Sequence, residues 1–375
     1  VSEPPIPFLA LTPHEDLGAV QAAIDRVISN GRFVLGPEVD AFEAEFAAAS
    51  GAAYAVGVGN GTDALALILR ALDIGRGDEV ITTPLSAAYT ALAIMLAGAR
   101  PVFADIDLER LTISPEAIES AVTSRTRAIL PVHLYGRAAD MAAIERIASR
   151  HALAVVEDCC QAHLATAAGR AVGTIGVAGA FSFYPTKNLG ALGDGGAVVT
   201  GDRALAARLQ RLRNGGQTDR YHHQEPGFNS RLDELQAAIL RARLPFLATW
   251  TARRRALALQ YRTALAAAPG TILPGTDPEH VYHLFVVRCL PTAGRDRRGA
   301  LQRHLRAQGI ETLVHYPVPV SRQPALAEAD PADCRGATDV CGQLLSLPLH
   351  PHLSERELAR VAAAVLEFTG KDRDA

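Results

Sequence analysis

From about residue 51 to residue 200 the chain alternates two kinds of pattern. Short runs of β-branched and other apolar residues are followed by alanine-rich stretches with apolar positions at helical spacing. Strands are predicted over Tyr54–Val58, 79–83, 101–104, 128–132 and 153–156, with helices over 64–71, 87–97, 115–122 and 140–150. Ser114 as cap and Pro115 at the first helical position mark the third of these helices. Strands that are apolar throughout and separated by helices predict a mostly parallel sheet covered on both faces. In such sheets ligands lie beyond the carboxyl ends of the strands, so polar residues just after a strand are the places to search.

The pattern changes later in the chain. A helix over 231–242 is followed by Pro245, then a long arginine-studded helix over 246–268, a strand over 283–289, a helix over 297–308 and a closing helix over 354–368. The expected organisation is a large α/β domain over residues 1–244 and a smaller α/β domain over 245–375. A hydrophobic content of 49%, with 21% charged residues, fits two packed globules in a 375-residue chain. The net charge of −3 offers no basic surface for nucleic acid. No run approaches the roughly 18 apolar residues of a membrane span, and residues 1–16 lack the basic start and apolar core of a secretion signal. The five cysteines, with Cys159 and Cys160 adjacent, have neither disulfide-framework nor metal-site spacing, so no metal and a cytoplasmic location are expected.

One feature of the charges stands out: thirty-five arginines accompany two lysines, Lys187 and Lys371. Lys371 lies in a polar tail. Arginine stays protonated, whereas a desolvated lysine can lose its proton and attack a carbonyl.

Four segments carry candidate chemistry. Asn60-Gly61-Thr62-Asp63 joins a strand to a helix, where glycine and the free N–H groups of a new helix suit a phosphate, or simply a capped helix start. The strand ending Val155-Val156-Glu157-Asp158 delivers two carboxylates, one of which can hold a protonated ring nitrogen. Strand alternation places Glu157 and Asp158 on opposite faces, so only one meets a given ligand. In Phe181-Ser182-Phe183-Tyr184-Pro185-Thr186-Lys187, an aromatic strand and a turn present the lysine in surroundings that lower its pKa. In Gly227-Phe228-Asn229-Ser230-Arg231, Asn229 and Arg231 are anion-binding candidates, with Ser230 as the plainer helix cap. A phosphate loop, a strand-end acid and a buried lysine together fit pyridoxal phosphate.

These residues, in this order, resemble the DegT/DnrJ/EryC1/StrS family of fold-type I pyridoxal-phosphate sugar aminotransferases. The likeness extends from Pro7-Phe8-Leu9 through Gly36-Pro37-Glu38-Val39 and Pro131-Val132-His133-Leu134-Tyr135-Gly136 to His315-Tyr316-Pro317 and Leu345-Ser346-Leu347-Pro348-Leu349. It implies that Lys187 carries the cofactor as a Schiff base and shuttles a proton, with pyridoxamine phosphate forming in mid-cycle. It further implies that Asp158 pairs with the pyridinium nitrogen, Gln161 meets the phenolic oxygen, and Gly61, Thr62 and Ser182 hold the phosphate. Asn229 would reach the phosphate of a neighbouring subunit in a homodimer with shared sites. Tyr221 and His222 would lie near the partner's substrate, and Arg231 and Tyr316 would also contact substrate.

Three departures from the family pattern stand out. The family's ring-stacking aromatic has no direct counterpart: Ala87 and Ala88 stand there, and Tyr89 is the nearest ring. The usual His-Gly after the acid motif reads His163-Leu164, and a histidine often found after Tyr-Pro is replaced within Ser321-Arg322-Gln323. The implied reaction moves an amino group from an amino acid, usually glutamate, to a nucleotide-linked keto sugar. A cyclitol ketone is an alternative acceptor. A sugar dehydratase, in which histidine tends to replace the lysine, and a non-catalytic regulatory homologue fit the residues less well.

Overall fold

The computed structural model describes residues 4–291, 295–326 and 333–371. The last residues of the polar tail, 372–375, lie outside it, and the closing helix Glu355–Lys371 runs on through Gly370.

A seven-stranded sheet forms the centre of the larger body. Its order is Tyr54–Val58, Gly196–Thr200, Ala178–Ser182, Ala154–Asp158, Thr126–Leu130, Glu79–Thr82, Arg100–Phe103. Only Gly196–Thr200 runs against its neighbours, so the sheet is mostly parallel, as expected. Strand alternation sorts its side chains into two cores. Val80, Leu130, Val156 and Val198 face the helices Gly61–Ala71, Tyr89–Leu96 and Arg203–Leu212. Ile81, Ile129 and Val155 face Pro115–Ala121 and Met141–His151. Phe181 and Val199 face Pro37–Ala49 and Glu234–Arg243 on that same second side. Buried Glu234 anchors Pro37–Ala49 by accepting from the backbone N–H groups of Gly36, Glu38 and Val39.

The expected boundary at residues 244/245 falls within a 3₁₀ turn, Leu244–Phe246, that leads into the long helix Leu247–Ala264. Beyond it, an antiparallel sheet of Thr271–Ile272, Phe285–Cys289 and Leu344–Leu347 packs with that helix, Arg297–Ala307 and Glu355–Lys371 around a second core. Ile6 belongs to this core and bridges to Ile310, so the start of the chain is built into the smaller body.

Candidate active site

The site forms where three strand ends meet. Asn60 caps the helix Gly61–Ala71 by accepting from the Asp63 N–H at 2.8 Å. A methyl group on Gly61 would lie 2.7 Å from Cys160 Sγ and 2.9 Å from Ser182 Cβ, so only glycine fits between the acid loop and the lysine strand. Ser182 thus lies directly against Gly61, and the first-turn N–H groups of the helix make its start a cradle suited to phosphate.

The two strand-end acids separate as alternation requires. Glu157 is fully buried: Oε2 accepts from His133 Nε2 (3.0 Å) and the Gly173 N–H (2.8 Å), and Oε1 from the N–H groups of Ile175 (2.8 Å) and Gly176 (2.7 Å). His133 Nδ1 accepts from the Ala139 N–H, which leaves the proton on Nε2. Burial raises the Glu157 pKa, but His133 and the backbone donors outweigh it and the net shift is downward. Cys159 joins His133 and Glu157 in a cluster close enough to hold a metal ion. Both ring nitrogens of His133 and both oxygens of Glu157 are already hydrogen-bonded within the protein, so the chemistry of this cluster is structural.

Asp158 faces the other way. Its Oδ1 accepts from the Cys160 N–H at 3.1 Å and its Oδ2 from Thr90 Oγ1 at 2.8 Å. Gln161 lies beside it: Oε1 accepts from the Tyr135 N–H at 2.8 Å, and Nε2 donates to the Tyr316 hydroxyl at 3.0 Å. Burial pushes the Tyr316 phenol up to about 12, so it remains a hydroxyl donor at neutral pH.

After Ser182 the chain turns sharply, with Lys187 N–H bonded to the Tyr184 carbonyl and Ala191 N–H to that of Phe183. Lys187 is recessed rather than free in solvent, and burial lowers its pKa from the ordinary value while Cys160 and Asp158 pull it back up. Its neighbour Asn188 is tied to Val281 and His283 of the smaller body, at 3.1 and 3.2 Å. His163, packed between Phe181 and Phe183, is pushed down to about 3 by burial, and His315 to about 4.

The remaining expected residues are more dispersed. Tyr89 opens its helix 65% exposed, and it is the next residue, Thr90, that reaches Asp158. Asn229 is exposed, and Arg231 donates to Asn214 Oδ1 at 2.9 Å. Ser230 does not cap a helix: its hydroxyl accepts from the Gly59 N–H and donates to Asp63, bracing the cradle from behind. Tyr221 and His222 stand on an exposed hairpin formed by Gln217–Asp219 and His222–His223. The sequence reading missed Thr90, Cys160 and His315. Only Thr90 gave a signal, as the polar residue in an otherwise apolar first turn.

An amine recessed beside a strand-end carboxylate and a helix-start cradle, on a sheet of this topology, defines a fold-type I pyridoxal-phosphate transferase. The residues fit that cofactor: Gly61 keeps the cradle floor open, and separate groups are available for its phosphate, ring nitrogen, ring oxygen and aldehyde. Over residues 16–366 the chain matches the profile of the DegT/DnrJ/EryC1/StrS aminotransferase family, and it belongs to that family. It is an aminotransferase, and pyridoxal phosphate is its cofactor. It is 50% identical to the dTDP-3-amino-3,4,6-trideoxy-alpha-D-glucose transaminase of Streptomyces venezuelae, covering 97% of this chain and 96% of that one. It is 47% identical to the dTDP-3-amino-3,6-dideoxy-alpha-D-galactopyranose transaminase of Aneurinibacillus thermoaerophilus, covering 93% and 95%. Among solved structures, S. venezuelae DesV in complex with a ketimine intermediate superposes with a TM-score of 0.93 at 50% identity, covering 98% of this chain and 99% of that one. No helix among the described residues is long and apolar enough to cross a membrane.

Proposed function

We infer that this protein transfers an amino group from glutamate to the carbonyl at carbon 3 of a nucleotide-linked keto sugar. One observation carries the reading: the recessed amine of Lys187 shares its surroundings with Asp158 and Cys160, next to the Gly61 cradle. Both relatives named above are transaminases named for a dTDP sugar with its amine at position 3, which supports the acceptor and the ring position.

Bound in this site, pyridoxal phosphate supplies an electron sink for the carbon that bears the amine. Lys187 would hold it through the amine and, when free, would serve as the base that takes the proton from the donor Cα. Its depressed pKa favours the neutral amine that both tasks require. Asp158 holds the proton on the ring nitrogen. Gln161 Nε2 has a second hydrogen beyond the one given to Tyr316, and that hydrogen would be available to the ring oxygen. Gly61, Thr62 and Ser182 bind the phosphate. The exposed positions of Tyr221, His222 and Asn229, with half-buried Arg231 beside them, support a homodimer in which they serve the partner's site.

The test is incubation with glutamate and a panel of dTDP- and UDP-linked keto sugars, following 2-oxoglutarate. Turnover is expected with a 3-keto nucleotide sugar and none with Lys187→Arg, whose guanidinium cannot form a Schiff base. Activity confined to cyclitol ketones would overturn the acceptor assignment, and an active arginine variant the role of Lys187.

A further inference from the structure

We propose that Thr90 is a positioning residue for the acid that meets the cofactor ring, acting as the last donor in a buried hydroxyl chain from Ser86 through Thr90 to Asp158. The inference rests on the assignment of Asp158 as the partner of the ring nitrogen.

The direction of the chain follows from the hydrogen bonds. An ionised carboxylate only accepts, so the single proton of the Thr90 hydroxyl points to Asp158 Oδ2, 2.8 Å away. Thr90 Oγ1 therefore accepts from the Ser86 hydroxyl at 3.3 Å. Ser86 and Thr90 are 4% and 3% exposed, so water does not readily replace either donor. The other oxygen, Oδ1, is held by the Cys160 N–H. Asp158 is thus fixed from two directions: by its own loop, and by the helix Tyr89–Leu96, which follows the end of the strand Glu79–Thr82 two strands away.

Two consequences follow for the reaction. With both oxygens engaged, the carboxylate cannot rotate about its last bond, and its remaining lone pairs keep one orientation toward the ring. A hydrogen bond donated to the carboxylate also stabilises its charged form, so Thr90 tunes how firmly the proton stays on the ring nitrogen. A threonine retained for packing alone would do neither.

The experiment compares the cofactor-loaded wild type with Thr90→Val, Thr90→Ser and Ser86→Ala. It measures kcat and KM for both substrates, the visible spectrum of the bound cofactor against pH, and the thermal midpoint. A lost hydrogen bond to a charged group is worth about 1.5–3 kcal/mol, so kcat of Thr90→Val should fall roughly 10- to 100-fold, with each KM changed less than about threefold. The spectral pH midpoint should move in Thr90→Val, return toward wild type in Thr90→Ser, and move less in the same direction in Ser86→Ala. A folded Thr90→Val with wild-type kcat and spectral midpoint overturns the proposal. If valine prevents folding, Ser86→Ala decides, and an unmoved midpoint there overturns it equally. A wild type that takes up no cofactor would instead sink the assignment of Asp158.

Discussion

Glu157 and Asp158 are adjacent, chemically similar and buried, yet replacing each by its amide should produce opposite defects. In Glu157→Gln, one carboxylate oxygen becomes an NH2 group. If it replaces Oε1 it faces the N–H groups of Ile175 and Gly176; if it replaces Oε2, it faces His133 Nε2–H and the Gly173 N–H. In either orientation two buried donors lose their acceptor. At about 1.5–3 kcal/mol for each charge-assisted bond, the loss is roughly 3–6 kcal/mol, a large share of the ~5–15 kcal/mol that holds an ordinary domain together. Asp158→Asn keeps one of its two bonds by choosing its orientation, so it should cost under about 2 kcal/mol while removing most turnover. Urea unfolding of both variants, with and without cofactor, measures the first quantity, and steady-state kinetics on the folded protein measures the second. An unfolding free energy for Glu157→Gln within about 1 kcal/mol of wild type, or a larger loss for Asp158→Asn, would refute the division of labour.

Other variants and conditions probe separate parts of the site. Gly61→Ala places a methyl 2.7 Å from Cys160 Sγ and 2.9 Å from Ser182 Cβ, so cofactor affinity should fall at least about tenfold and stability by about 1–3 kcal/mol, as read by fluorescence titration and urea unfolding. Unchanged affinity would show that the cradle floor is not used. Acid should destabilise the protein through His163 and His280, which burial pushes down to about 3. Their unfolded counterparts titrate near ~6.5, so the unfolded chain binds the extra protons between these values. Their contribution is therefore complete above pH ~6.5 and is lost as pH falls, by roughly 2 kcal/mol each at pH 5. A thermal midpoint that stays level from pH 7.5 to pH 5 would contradict this.

The sequence made the parallel core readable because fully buried strands are short and uniformly apolar, as in Ile129–Leu130 and Val155–Val156. It did not reveal that Gly196–Thr200 runs antiparallel, since side-chain alternation is blind to strand direction. The opposed faces of Glu157 and Asp158 followed from alternation alone, whereas their partners His133 and Thr90 come from distant segments that no local pattern connects. Lys187 was visible as an isolated lysine in an arginine-rich chain. The family resemblance drew attention to Tyr89 as the nearest ring, but Thr90 occupies the inward position one step on. Ser230 looked like a helix cap because its neighbours permit one, yet its hydroxyl is committed across the fold to Gly59 and Asp63.

The link from Asn188 to Val281 and His283 has a practical consequence for engineering. Grafting the C-terminal half of a relative onto this chain, to change which sugar it accepts, would keep a backbone carbonyl at position 281 but would exchange the His283 ring that also moors the turn bearing the reactive amine. A chimera that recruits a new acceptor should therefore carry His283 along with Asn188, or its turnover will drop for reasons unrelated to sugar recognition.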